Sequence, residues 1–220
     1  MKIRVIITGA TGMVGEGVLH ESLLHPDVEK ILVINRKPCG VTHPKLQEIL
    51  HSNFYDLSPI AEQMRDYNAC FFCLGVSSVG MKEQEYYSLT YPLTIHMAEI
   101  LSKLNNDMTF CYISGAGTDS SEKGRMSWAR VKGKTENDLM KLPFKKVFAF
   151  RPAFMQPTKG LKNTHSFYTG FNLLYPVLQL ILPKYVSTLK ELGLAMINSV
   201  LKGYEKPILE VKDIIELSKR

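Results

Sequence analysis

Cysteine is scarce in this chain, with four among 220 residues, and the first residues lack the apolar run of a secretory leader. Reduced thiols in a cytoplasmic protein are the expectation that follows. Tryptophan is scarcer still, with Trp128 alone. No run of about 20 apolar residues is present, as a spanning helix would need. The longest charge-free stretch, Asn163 to Pro183, is broken by polar residues and glycine, and only Phe171 to Leu182 is strongly apolar. That length suits a buried helix, or one in peripheral contact with a membrane surface, and no transmembrane segment.

Paired metal-ligand spacings are also missing, so no metal is expected. Cys39 and His43 could supply half a site, but no second ligand pair follows at a zinc spacing, and the six histidines share no common spacing. Cys70-Phe-Phe-Cys73 has redox spacing inside a strand-like run. Residues three apart on a strand point to opposite faces, which forbids a disulfide between them. The hydrolase elbow Gly-x-Ser-x-Gly is absent, and no Lys-Ser/Thr follows the early glycines, which excludes a nucleoside-triphosphatase loop.

What is present describes one globular α/β unit. Apolar residues make up 45% and charged residues 22%, which excludes disorder. The net charge is +6, spread unevenly: about −3 over residues 1–110 and +9 over 111–220. A basic half invites an anionic partner. Its lysines lack the interleaved aromatics that stack bases, so nucleic acid is not expected.

Apolar β-branched runs alternate with helical patterns. Strands are expected at Ile3–Thr8, Lys30–Asn35, Leu46–Leu50, Asn68–Leu74, Met108–Ser114 and Lys145–Phe150. Helices are expected at Met13–Leu24, Ser58–Arg65, Glu83–Lys103 and Ser127–Lys141. This rhythm predicts a doubly wound parallel sheet of Rossmann type. After Arg151-Pro152 the pattern changes to a loop over 156–164, helices at Ser166–Leu182 and Ser187–Leu201, a strand at Pro207–Val211 and a short final helix. A dinucleotide-binding domain over 1–153 and a small, mostly helical substrate lobe over 154–220, packed as one compact unit, are the expected organisation.

Thr8-Gly9-Ala10-Thr11-Gly12-Met13-Val14-Gly15 lies between the first strand and first helix. Gly9 suits a tight turn, Gly12 lets backbone approach a pyrophosphate, and Gly15 lets helix and strand pack closely. The free N–H groups around Met13 and Val14 face an anion with the helix dipole behind them, and Thr11 of the same loop is expected among the cofactor-binding residues. An acidic residue at the end of strand two would select NAD through its ribose. Here stand Arg36 and Lys37, which suit a 2′-phosphate, so NADP(H) is expected ahead of NAD(H).

These residues, in order, resemble the atypical short-chain dehydrogenase/reductase group, especially its Tat-interacting-protein-like members, and more loosely NAD-dependent epimerase/dehydratase relatives. The likeness rests on the glycine motif, Asp56-Leu57, Cys-Leu-Gly-Val at 73–76, Ser114-Gly-Ala-Gly, Val131-Lys132-Gly133 and Phe150-Arg151-Pro152. It implies that Asp56 and Leu57 bound the adenine, that Leu74, Gly75 and Val76 run along the adenosine, and that Pro152 sits near the nicotinamide. The group uses Ser, Tyr and Lys for catalysis, with Tyr-x-x-x-Lys on one helical face. Ser114 and Lys132 match, but Trp128 occupies the tyrosine position. An indole N–H has no proton to exchange near neutral pH, so the general acid is altered or lost. Tyr86, Tyr87, Tyr91 and Ser127 are the substitute hydroxyls within the sequence.

Three readings follow: an NADP-dependent oxidoreductase or epimerase-like enzyme on an unknown small molecule, a catalytically weak NADPH-binding regulator or scaffold, and a peripheral membrane or partner-binding protein. The resemblance also suggests a homodimer.

Overall fold

Seven parallel strands form the central sheet, in the order β3-β2-β1-β4-β5-β6-β9. They are β1 (Ile3–Thr8), β2 (Val28–Asn35), β3 (Leu46–Leu50), β4 (Ala69–Phe72), β5 (Thr109–Ile113), β6 (Lys146–Arg151) and β9 (Ile208–Glu210). The computed structural model describes residues 1–163 and 185–220. The helix expected at 166–182, with its membrane-contact segment 171–182, lies outside those residues.

Alternation along each buried strand divides the core into two layers. Val5, Ile7, Phe71, Cys111 and Phe150 face α1 (Met13–Leu24), α4 (Leu189–Leu201) and α5 (Val211–Ser218). Ile6, Cys70, Phe72, Phe110 and Tyr112 face a 3₁₀ helix (Ser58–Met64), α2 (Glu83–Leu104) and α3 (Ser127–Leu139). Cys70 and Cys73 pack on opposite sides, and all four cysteines are free. Fully buried strands explain why these segments read as continuous apolar runs.

Residues 185–220 join this body. β9 pairs in parallel with β6, and α4 packs on α1. The close approach is made by Gly17 of α1, beside Leu189, and by Gly193 of α4, beside Glu21. A short second sheet pairs β7 (Phe154–Gln156) with β8 (Val186–Thr188). The helix expected from Ser187 begins two residues later because Thr188 caps it: its hydroxyl accepts from Glu191 N–H while the Glu191 carboxylate accepts from Thr188 N–H. The expected helix at 58–65 is a 3₁₀ turn over Ser58–Met64, with Pro59 near its start.

Candidate functional site

The strand order reverses at β1, flanked by β2 and β4, which is where open α/β sheets leave a crevice beyond their strand ends. Three glycines shape the turn there. Gly9 has φ +70°, and a Cβ on it would come within 2.7 Å of the Cys73 carbonyl oxygen. A Cβ on Gly15 would overlap the Gly9 carbonyl oxygen, so only glycine lets α1 sit this close to the turn. Gly12 is different: its nearest neighbour would be the Gly9 oxygen at 3.5 Å, leaving open space above the helix start. The first N–H groups of α1, including those of Met13 and Val14, have no acceptor within the helix. A cradle that only glycine keeps open, at a positive helix end, fits a dinucleotide pyrophosphate.

Asn35, the last residue of β2, holds this turn to the next strand. Its Oδ1 accepts from Ala10 N–H at 3.2 Å and its Nδ2 donates to Glu48 at 3.2 Å. Glu48 also accepts from Cys39 N–H at 2.8 Å. The chain after β2 is thereby curled back, and Arg36, Lys37 and Thr11 line one polar cavity together with Lys162 and Asn163. Arg36 also borders a second, apolar cavity next to it.

That apolar slot is walled by Phe54 and Tyr55 on one side, Leu74, Gly75 and Val76 on another, and Leu89 and Leu93 of α2. The inner wall has an unusual anchor. Pro92 lies inside α2 and has no N–H for the carbonyl of Ser88, four residues earlier. The Tyr55 hydroxyl donates to that carbonyl at 2.8 Å and so fixes the tyrosine in the slot wall. Asp56 and Leu57 stand elsewhere. The Asp56 carboxylate accepts from Ser58 N–H and Oγ at 3.0 and 2.6 Å, which holds its carboxyl below the usual range. Leu57 is buried in the core. Ser52, Phe54 and Tyr55, which sequence reasoning missed, line the slot instead.

Beyond β5, Ser114 Oγ donates to the Phe150 carbonyl at 3.1 Å, and Ala116 N–H donates to the Pro152 carbonyl at 2.8 Å. These bonds bring Ser114 and Pro152 to one end of the sheet. Lys132 of α3 is buried at 8% exposure. Its Nζ donates to the Ile113 carbonyl at 2.9 Å and lies 4.8 Å from the Tyr112 ring centroid. A Cβ on Gly75 would stand 4.0 Å from that nitrogen, so Lys132 faces the loop after β4. Burial brings the lysine down to a pKa of about 8, with the Glu136 carboxylate acting in the opposite direction.

Trp128 spreads its indole over the loop after β5, where Cβ atoms on Gly115 and Gly117 would meet it at 3.9 and 3.6 Å. Two of the candidate replacement phenols pair with each other, and the third is buried. Tyr91 donates to Asp138 at 2.8 Å, and Tyr87 stacks on Tyr91 with centroids 5.0 Å apart. Tyr86 is buried, which raises its pKa.

No family model matches the chain. A mitochondrial protein, fmp52-1 of Aspergillus oryzae, is 25% identical over 156 residues, covering 68% of this chain; the match spans 64% of that protein's length. Protein FMP52, mitochondrial, of Candida glabrata is 25% identical over 212 residues, covering 93% of this chain and 88% of its own. These relatives overturn the cytoplasmic expectation. Free thiols argue against an oxidising compartment and do not distinguish among the others.

Among solved structures, the Bordetella bronchiseptica enzyme WbmG, in complex with NAD, aligns at TM-score 0.69 and 14% identity, covering 99% of this chain and 77% of its own. A UDP-N-acetylglucosamine 4-epimerase from Methanobrevibacter ruminantium aligns at 0.64 and 15%, covering 98% and 81%. A short-chain dehydrogenase/reductase superfamily protein from Agrobacterium tumefaciens, with bound NAD, aligns at 0.65 and 10%, covering 97% and 81%. At such identities the likeness is one of fold. No helix among the described residues is long and apolar enough to cross a membrane. At the level of fold, the chain is a Rossmann-like protein, with the doubly wound parallel α/β sheet that these structures share.

Proposed function

We propose that the chain binds NADP(H) and acts as an oxidoreductase or epimerase-like enzyme on a small molecule. One observation carries this reading: two adjoining cavities share Arg36, one apolar and one lined by cations, beside a glycine cradle. The apolar slot suits an adenine, and Arg36 and Lys37 suit the 2′-phosphate next to it. Gly9, Thr11, Gly12, Met13, Val14 and Gly15 would hold the pyrophosphate, and Leu74, Gly75 and Val76 the adenosine. Residues 1–153 would hold the cofactor, with 154–220 completing the substrate side.

The bound dinucleotide would supply or accept a hydride. Lys132 would bind the nicotinamide ribose, Pro152 would border the ring, and Ser114 would turn its hydroxyl from the Phe150 carbonyl to a substrate oxygen. Trp128 would cover this end of the site and exclude water. The names of the fungal relatives support a mitochondrial location for this chain.

A second reading, an NADPH-binding regulator or scaffold with weak turnover, is favoured by Trp128. Absence of a positioned general acid typically costs a factor of about 10²–10⁴. Titration with NADPH and NADH tests the first proposal. Wild-type protein is expected to prefer NADPH, and Arg36→Ala with Lys37→Ala to remove that preference. Equal affinities in the wild type would overturn it. Single-turnover oxidation of NADPH with a panel of carbonyl compounds separates the two readings. Turnover lost on Ser114→Ala supports the enzyme. Turnover that appears only in Trp128→Tyr supports the binding protein.

A further inference from the structure

The cation-lined cavity draws on a part of the chain far from the glycine motif. Lys162 and Asn163, about 150 residues after the phosphate loop, stand in its wall together with Arg36 and Lys37. They are held there by Glu16 in the first turn of α1. Lys162 N–H donates to one Glu16 carboxylate oxygen at 2.9 Å, and Asn163 N–H to the other at 2.7 Å. Both oxygens of one side chain are thus spent on two consecutive backbone donors, which fixes the backbone from which Lys162 projects. The placement also suits Glu16, since a carboxylate is favoured near a helix N-terminus.

We infer that Lys162 is a third cation for the 2′-phosphate of the dinucleotide, and that Glu16 is the residue that positions it. This inference rests on the NADP(H) reading above. Its physical content is charge geometry. Arg36 and Lys37 approach the cavity from the end of β2, and Lys162 approaches from the segment after β7. A dianionic phosphate between them would be held from two sides. Discrimination between NADPH and NADH would then depend on a segment outside the βαβ unit that carries the glycines. No signal in the sequence pairs Glu16 with residue 162, because the contact spans 146 positions.

The test is a binding titration of the full chain with NADPH, NADH and adenosine 2′-monophosphate. Lys162→Ala is expected to weaken NADPH and adenosine 2′-monophosphate about tenfold or more and to leave NADH unchanged. Tenfold corresponds to one charge-assisted hydrogen bond. Lys219→Ala, the same change of charge at the end of the C-terminal helix, should shift none of the three. Glu16→Gln keeps one acceptor oxygen and should lower the NADPH-to-NADH preference by a smaller factor. In a Lys162→Ala background it should have no further effect on that preference, which a merely structural role for Glu16 would not produce. Equal loss of NADPH and NADH affinity in Lys162→Ala, or no loss, would overturn the inference while leaving a preference abolished by Arg36→Ala with Lys37→Ala intact. A wild-type chain that binds both dinucleotides equally would remove the NADP(H) reading and this inference with it.

Discussion

Gly12 and Gly15 are one turn apart at the start of the same helix, yet a methyl group at each meets different surroundings. At Gly15 it would overlap the Gly9 carbonyl, so the chain must move, and Gly15→Ala is expected to cost at least about 1–3 kcal/mol of stability. At Gly12 it would meet only the Gly9 oxygen at contact distance. Gly12→Ala is therefore expected to leave the melting temperature within a few degrees of wild type and to abolish dinucleotide binding. Thermal melts alongside NADPH titrations separate the two roles. Lys132 gives a second prediction at this scale, since its folded pKa of about 8 lies below the ordinary 10.5. The unfolded chain keeps this proton over a range where the folded chain has released it, so this residue's contribution makes stability rise between those two pH values. Lys132→Met should remove that rise and raise stability below pH 8. The difference between wild-type and variant denaturation curves checks it, because the cysteine and tyrosine titrations are common to both.

Two devices at the scale of elements keep the site in register. Arg151, at the end of β6, makes a two-pronged ion pair with Glu136 of α3, at 3.0 and 2.5 Å, and reaches Glu210 of β9 at 3.2 Å. Glu136 is almost fully buried, whereas Glu210 is about half exposed. Glu136→Ala leaves a buried guanidinium without its main partner and should cost about 3–5 kcal/mol. Glu210→Ala should cost less than about 1 kcal/mol. Chemical denaturation of both variants tests the contrast. Pro92 is the second device. Pro92→Ala would restore an N–H that competes with Tyr55 for the Ser88 carbonyl. The helix should become more stable, while affinity for adenine nucleotides should fall a few-fold.

Element types were largely legible because most strands of the sheet are buried on both faces and read as apolar runs, with glycine and proline marking the breaks between elements. Leu46–Leu50 and Met13–Leu24 match their expected ranges residue for residue. Strand β7 was missed because its three residues are strand only by pairing with β8, about 30 positions away. The start of α4 was written in the sequence as Thr188-x-x-Glu191, a capping signal that the apolar pattern around it obscured.

For the whole molecule, the C-terminal residues belong to the central body. Leu209, Ile214 and Leu217 are fully buried against it. Removing residues 208–220 would expose the edge of β6 and forfeit about 5–9 kcal/mol of side-chain burial. That is comparable to the whole stability of an ordinary domain, so the truncated chain should fail to give a cooperative melt. Circular dichroism of the purified truncation provides the check. The uneven charge also takes a clearer form at this scale. The cations of the polar cavity come from both halves: Arg36 and Lys37 from the acidic half, Lys162 from the basic one.

The glycine spacing, the alternation of strands and helices, and Trp128 where a tyrosine is usual were determined by the sequence alone. Each depends on residues within a few positions of one another, or on a period that the backbone imposes. Only the tertiary structure decided what walls the apolar slot. Tyr55 is held in its wall because a proline in α2 frees a carbonyl, and Asp56 turns to Ser58 instead. Only the tertiary structure brought Lys162 to Arg36, through a carboxylate 146 residues earlier in the chain. Local rules act through backbone geometry and can be read along the chain. Contacts across such distances depend on how the layers pack, and no spacing in the sequence encodes them.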